Sequence, residues 1–230
     1  MLPTKLTRAL KKYCLDIGLT ALARNFILSE ENNIEPDGFR LVTLGDGNVW
    51  YAQRPAKKWQ SDMHWISPAD EKGHESYLKH LNENGFLSVL NVIGNELGLA
   101  GLVAYQLTFI VVSHCEQGFI HHDTHDTGDR TFNVIIPLET VDDSPPELII
   151  QGTDFPEMSL GRLQYEQNVG ILLGDVRRSV SLLDQQLIQL LCCLLYQYAE
   201  HATSECDYRD KPGSMRLAAT VYITGKTRLC

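Results

Sequence analysis

His121 and Asp123 stand two residues apart in the run FIHHDTHDTG. On a strand, side chains two apart project from the same face, so this imidazole and carboxylate can hold one metal ion together. A second imidazole from elsewhere in the chain would complete a set of two histidines and one carboxylate. Such a facial set leaves coordination positions of non-haem Fe(II) open for other ligands. Far downstream, Arg216 begins the apolar run LAATVYI. An arginine carried inward on that strand must find a partner, because an unpaired buried charge is very costly. A carboxylate held bidentately suits the guanidinium fork best.

Each of these residues has a plainer reading. His122 and His125 are alternative imidazoles in the same cluster, and His121 could serve only in ordinary strand-edge hydrogen bonds. His201 could cap the end of a preceding helix, where the dipole favours an imidazolium. Arg216 could be a surface cation paired with Asp207 or Asp210.

From about residue 105 onward, the segments YQLTFIVVSHCEQGFIHHDTHDTG, FNVIIPLE, PELII, NVGILLGD and EHATSECDYRDKPGSMRLAATVYI follow one another. In that order they resemble the 2-oxoglutarate/Fe(II)-dependent dioxygenase superfamily in its prolyl 4-hydroxylase-like form. The resemblance covers a little over half of the chain. It implies that His121, Asp123 and His201 hold iron and act in catalysis, and that Arg216 meets the far carboxylate of 2-oxoglutarate. Asn133 and Thr220 are second-rank candidates for polar contacts to that co-substrate. The implied activity is hydroxylation of a small-molecule or peptide substrate, with decarboxylation of 2-oxoglutarate to succinate. Fe(II) and 2-oxoglutarate are the expected cofactors, and ascorbate is a further candidate. Two alternatives stand beside it: a cupin-like metal-binding protein that does not use 2-oxoglutarate, and an inactive dioxygenase-like binding module.

The secondary structure around these residues is predicted from pattern. Helix signals cover residues 4–29 and 75–96, and PDGFRLVTLGDGNVWYAQRP between them reads as a hairpin turning at Gly45 to Gly47. Gly98 and Gly101 suit a left-handed helix cap. Strands are expected over 105–112, 118–123, 131–138, 147–151, 162–165, 169–173 and 216–224. The fold class is therefore mainly β with N-terminal helices (α+β), and with the resemblance it becomes a double-stranded β-helix, or jelly roll. A helical and hairpin portion over 1–104 is expected to pack on a jelly-roll core over 105–230, as one structural domain.

One segment interrupts the pattern. Between Asp175 and Glu200 lies VRRSVSLLDQQLIQLLCCLLYQYA, apolar on nearly every side; without it the chain reads GILLGD-EHATSECDYR. As a helix over 176–199 it would need burial, and it could cover the barrel mouth. The competing reading is translated intron, since its first residue is valine, whose codons begin with the donor dinucleotide GT. The terminal GKTRLC departs from strand character in the same way.

Composition excludes little else. With 230 residues, 43% hydrophobic and 21% charged, the chain is that of an ordinary globular protein. Its net charge of -9 argues against an extended nucleic-acid surface. No apolar run is long enough for a membrane span. Six cysteines without a CxxC pair point to reduced thiols and a cytoplasmic location. The basic, amphipathic start around Lys5, Arg8, Lys11 and Lys12 is expected to lie against the core, with an organelle transit peptide as the alternative.

Overall fold

The computed structural model describes residues 2–28, 39–53, 61–116, 121, 130–140, 147–151, 161–165, 169–174, 200–208, 210 and 215–227. Two helices, α1 (Thr4–Asp16) and α2 (Leu19–Leu28), lead into strands β1 (Phe39–Thr43), β2 (Val49–Gln53) and β3 (Ser61–Pro68). Helices α3 (Glu71–Glu83) and α4 (Phe86–Leu97) follow, then β4 (Leu99–Cys115) and β5 (Arg130–Thr140). The remaining strands are β6 (Glu147–Gln151), β7 (Gly161–Gln164), β8 (Ile171–Gly174), β9 (Glu200–Thr203), β10 (Cys206–Asp207) and β11 (Arg216–Thr227). The described protein is mostly antiparallel sheet with four helices.

The two long helices expected from the sequence are four shorter ones. Gly18, at φ 80°, and Gly85, at φ 103°, break the helical path, in a backbone region that glycine enters without steric cost. Helix α3 starts earlier than residue 75 because Asp70 is its N-cap: the carboxylate accepts from Gly73 N at 2.8 Å. The apolar stripe of α1 is sunk in the core, with Leu6, Leu10 and Cys14 at most 1% exposed. Burying each of those leucines contributes roughly 1.5–3 kcal/mol of transfer free energy.

The main sheet runs β1-β2-β3-β4-β11-β5-β8, with β10 pairing β4, and the second sheet runs β7-β6-β9. His121 adds a single bridge to β9, opposite His201. Alternation along the central strands divides the main sheet into two faces. Phe109, Val111, Ala219, Val221, Ile223, Val134 and Ile136 pack with Leu6, Leu10, Tyr77, Leu81 and Phe86 in the helix-covered core. Ile135, Ile171, Leu173 and Ala218 face the other way and pack with Leu148 of β6 and with Tyr165. The main sheet is thus covered by helices on one face and by the second sheet on the other. Because β1, β2 and β3 belong to the same sheet as β4 and β11, the first 104 residues contribute sheet as well as helix.

Several strands differ from the sequence reading. Strand β3 was not foreseen: Met63, His64, Ile66 and Ser67 are all buried, so an interior strand shows no alternation of apolar and polar residues. Strand β4 is much longer than 105–112 and starts just after α4. Gly98 does cap α4, at φ 62°, but Gly101, at φ 61°, lies inside β4. There the register with β11 jumps between Thr224↔Val103 and Lys226↔Ala100, as at a glycine-bearing bulge. Nor does the chain leave strand character at Gly225, since Lys226 and Thr227 pair with Ala100 and Leu99. The expected insertion over 176–199, Cys192 and Cys193, and most of the strand expected over 118–123 lie outside the described residues. Among the described residues no helix is long and apolar enough to cross a membrane.

Candidate functional site

The site is built where the two sheets face each other. His121 and His201 are directly opposed on neighbouring antiparallel segments, and each backbone N–H donates to the other's carbonyl at 3.0 Å. Opposed residues share a face, so both imidazoles leave the sheet on one side. Their ring centroids are 4.5 Å apart, with planes inclined by 49°. His201 is buried and His121 half-buried. Asp123 lies outside the described residues, as do His122 and His125.

Arg216 arrives from the opposite sheet. It opens β11 next to β4 and β5, opposite Val112 and Thr140. It is only 3% exposed, which excludes the surface-cation reading. Its Nη1 donates to Thr203 Oγ1 at 2.7 Å, and its guanidinium lies 3.6 Å from the centre of the Tyr165 ring. Thr203 is two residues beyond His201 on β9, so it shares that strand's inward face with the imidazole. One strand repeat, about 7 Å, therefore separates the histidine from the residue that receives the guanidinium. Among the described residues Arg216 makes no ion pair, with Asp207, Asp210 or any other acid, and its Nε has no hydrogen-bond partner.

A buried guanidinium that meets a hydroxyl and an aromatic face but, among the described residues, no carboxylate is compensated there only in part. The π face contributes up to roughly 2 kcal/mol when desolvated, well short of the cost of removing a cation from water. The donor set thus suits an anion. Two convergent imidazoles suit a transition metal. The described residues include no cluster of three metal-ligating side chains.

Thr220 and Asn133 share the inward face but stand apart from Arg216. Thr220 is four residues along β11, roughly 13 Å at strand rise, and Asn133 is opposite Tyr222, two residues further on. Both are buried, and among the described residues Thr220 Oγ1 lacks a hydrogen-bond partner. Thr108, opposite Thr220 on β4, instead shares a 2.8 Å hydrogen bond with Ser67. Sequence reading missed Thr203 and Tyr165. The first could have been found from its spacing of two from His201; the second touches Arg216 from another sheet, and no local pattern encodes that.

No family model and no curated protein sequence matches the chain. Among solved structures it is similar to an oxidoreductase of the 2OG-Fe(II) oxygenase family from Burkholderia pseudomallei, at 12% identity over 73% of this chain and 72% of that one, with a TM-score of 0.47. It is also similar to a prolyl-4-hydroxylase from Pseudomonas putida, at 14% identity over 99% and 89% of the two chains, with a TM-score of 0.43. A third is a prolyl hydroxylase from Trichoplax adhaerens, solved with a peptide fragment of the hypoxia inducible factor oxygen degradation domain: 11% identity, 97% and 90% coverage, TM-score 0.41.

Proposed function

We propose that the chain is an Fe(II)- and 2-oxoglutarate-dependent oxygenase built on a jelly roll, acting as a hydroxylase. The observation that carries the reading is the convergence on one inward face of His121 and His201, at 4.5 Å between rings, with a buried Arg216 bound to Thr203 two residues from His201. The reading is supported by two facing antiparallel sheets, the main one carrying β4-β11-β5-β8 and the three-stranded one carrying β9-β6-β7 with the His121 bridge on β9. The helices and β1 to β3 then form an N-terminal portion packed on that core.

In this reading His121, Asp123 and His201 hold Fe(II). The bound metal and co-substrate supply oxygen activation coupled to decarboxylation of 2-oxoglutarate to succinate. The chain's own residues bind and orient. Arg216 takes the far carboxylate of the co-substrate, which provides an anion that the buried guanidinium does not meet among the described residues. Tyr165 and Thr203 fix the plane of that guanidinium before the ligand arrives, so less freedom is lost on binding. Ile135, Leu148, Ile171, Leu173 and Ala218 wall the space between the sheets with apolar surface, which excludes water and strengthens the charge pairing.

The test is anaerobic calorimetry with Fe(II) on the intact chain and on His121→Ala, Asp123→Ala and His201→Ala, followed by measurement of succinate from 2-oxoglutarate under oxygen. Each substitution should weaken metal binding severely, since each removes one of three protein ligands. Unchanged affinity in any of the three removes that residue from the set. Metal binding without succinate formation, with no 2-oxoglutarate affinity, favours the cupin-like alternative.

A further inference from the structure

Beyond that reading, we propose that Cys115 and Cys206 form an oxidisable thiol pair that a hydroperoxide closes into a reversible disulfide, stapling β10 to β4. The two residues are direct partners across an antiparallel ladder, and directly opposed residues bring their Cα atoms to roughly 4.5–5.5 Å. That lies inside the range a disulfide spans without backbone movement. Both thiols are free, and both belong to one small cluster with Met63 and Val112.

The surroundings make this pair more than a coincidence of packing. Cys115 Sγ contacts the Thr203 carbonyl at 3.8 Å, and Thr203 is the residue whose hydroxyl receives Arg216. Burial pushes the Cys115 thiol above its ordinary value, opposed by the positive charge of Arg216. Burial likewise pushes Cys206 up to about 11, again against Arg216. The pair is therefore slow to ionise, and its oxidation should accelerate with pH. Cys206, half-buried on the outer strand, is the first to meet the oxidant.

The chemistry balances with the peroxide alone. The Cys206 thiolate attacks one peroxide oxygen; an S–O bond forms, the O–O bond breaks, and hydroxide leaves. The Cys115 thiolate then attacks that sulfur, forming S–S and expelling a second hydroxide. Two thiols and one peroxide give one disulfide and two waters. The bond closes a loop between residues 115 and 206 and ties the chain just beyond β9 to the main sheet, where Arg216 is anchored.

The experiment treats the full chain with hydrogen peroxide at pH 7 and pH 9, alkylates remaining thiols, and maps peptides without reduction. The expected product is a Cys115–Cys206 cross-link, formed roughly ten times faster per pH unit below the thiol's ionisation. Oxidised protein should melt at a higher temperature and return to the original value with dithiothreitol, because a disulfide closing a long loop restricts the unfolded chain. Cys206→Ser should show neither change. Recovery of Cys115 and Cys206 as separately alkylated peptides, or each joined to a different cysteine, overturns the proposal. None of these readouts requires metal or 2-oxoglutarate, so they stand or fall independently of the oxygenase reading.

Discussion

Arg216 is the residue at which the proposed function is most directly tested. Its guanidinium is buried, clasped by Thr203 and floored by Tyr165, and neither partner carries a negative charge. Arg216→Ala is expected to cost about 2–5 kcal/mol of 2-oxoglutarate affinity, on the order of thirty- to several-thousand-fold, while Fe(II) affinity stays near that of the intact protein. Arg216→Lys should recover little, because an ammonium keeps the charge and loses both the planar fork and the stacking on Tyr165. Titration of 2-oxoglutarate with iron bound and oxygen excluded measures both. Equal affinity in the intact protein and Arg216→Ala would remove the carboxylate role.

Elements show where the sequence speaks and where it falls silent. The outer bounds of β5, β6 and β11 were close to legible, because their apolar residues alternate or run unbroken between Gly, Pro and Asp turns. The breaks at Gly18 and Gly85 were not, since apolar residues recur at helical spacing on both sides of each, and the polar run from Asn82 to Asn84 before Gly85 is also compatible with a helix's exposed turn. Strand β3 was hidden because its buried His64 and Ser67 spoil the pattern, and Ser67 is tolerated inside only through its bond to Thr108. At the candidate site, His121, His201 and Arg216 could be nominated by type and order, and the structure places them on facing sheets. Thr203 and Tyr165 could not be nominated that way, since they meet Arg216 only through contacts between sheets. A local signal with a measurable weight is the Asp70 cap of α3: Asp70→Ala should destabilise the protein by about 0.5–2 kcal/mol, typically near 1. A urea midpoint unchanged in Asp70→Ala would mean that the Gly73 bond does not hold the start of α3.

At the scale of the whole molecule, the helix-covered core buries several groups that must stay uncharged. Tyr13, Tyr77, Trp50 and Phe109 form a connected ring cluster, with Tyr13 and Tyr77 stacked at 5.3 Å. Burial raises the ionisation of Tyr77 well above the ordinary phenol value, and the neighbouring Cys14 and Tyr13 add to it. Tyr13 is raised by burial and by its bond to the Asp46 carboxylate, and Cys14 mainly by burial. A group whose folded ionisation is raised stabilises fully below its unfolded value and progressively less as pH climbs past it. Stability should therefore hold from neutral pH to about 8.5, where an unfolded cysteine ionises, and fall more steeply above about 10, where unfolded tyrosines do. Tyr77→Phe isolates one contribution, because the Tyr77 hydroxyl has no hydrogen-bond partner among the described residues. Its removal should leave stability at pH 7 unchanged or raised by up to about 1 kcal/mol, since no partner is orphaned. Above pH 10 the variant's stability should fall less steeply than the intact protein's, by about 1.4 kcal/mol per pH unit, the weight of one proton retained only in the folded state. Urea midpoints from pH 7 to 11, taken in reductant, measure the difference, and parallel declines would show that Tyr77 ionises as readily folded as unfolded.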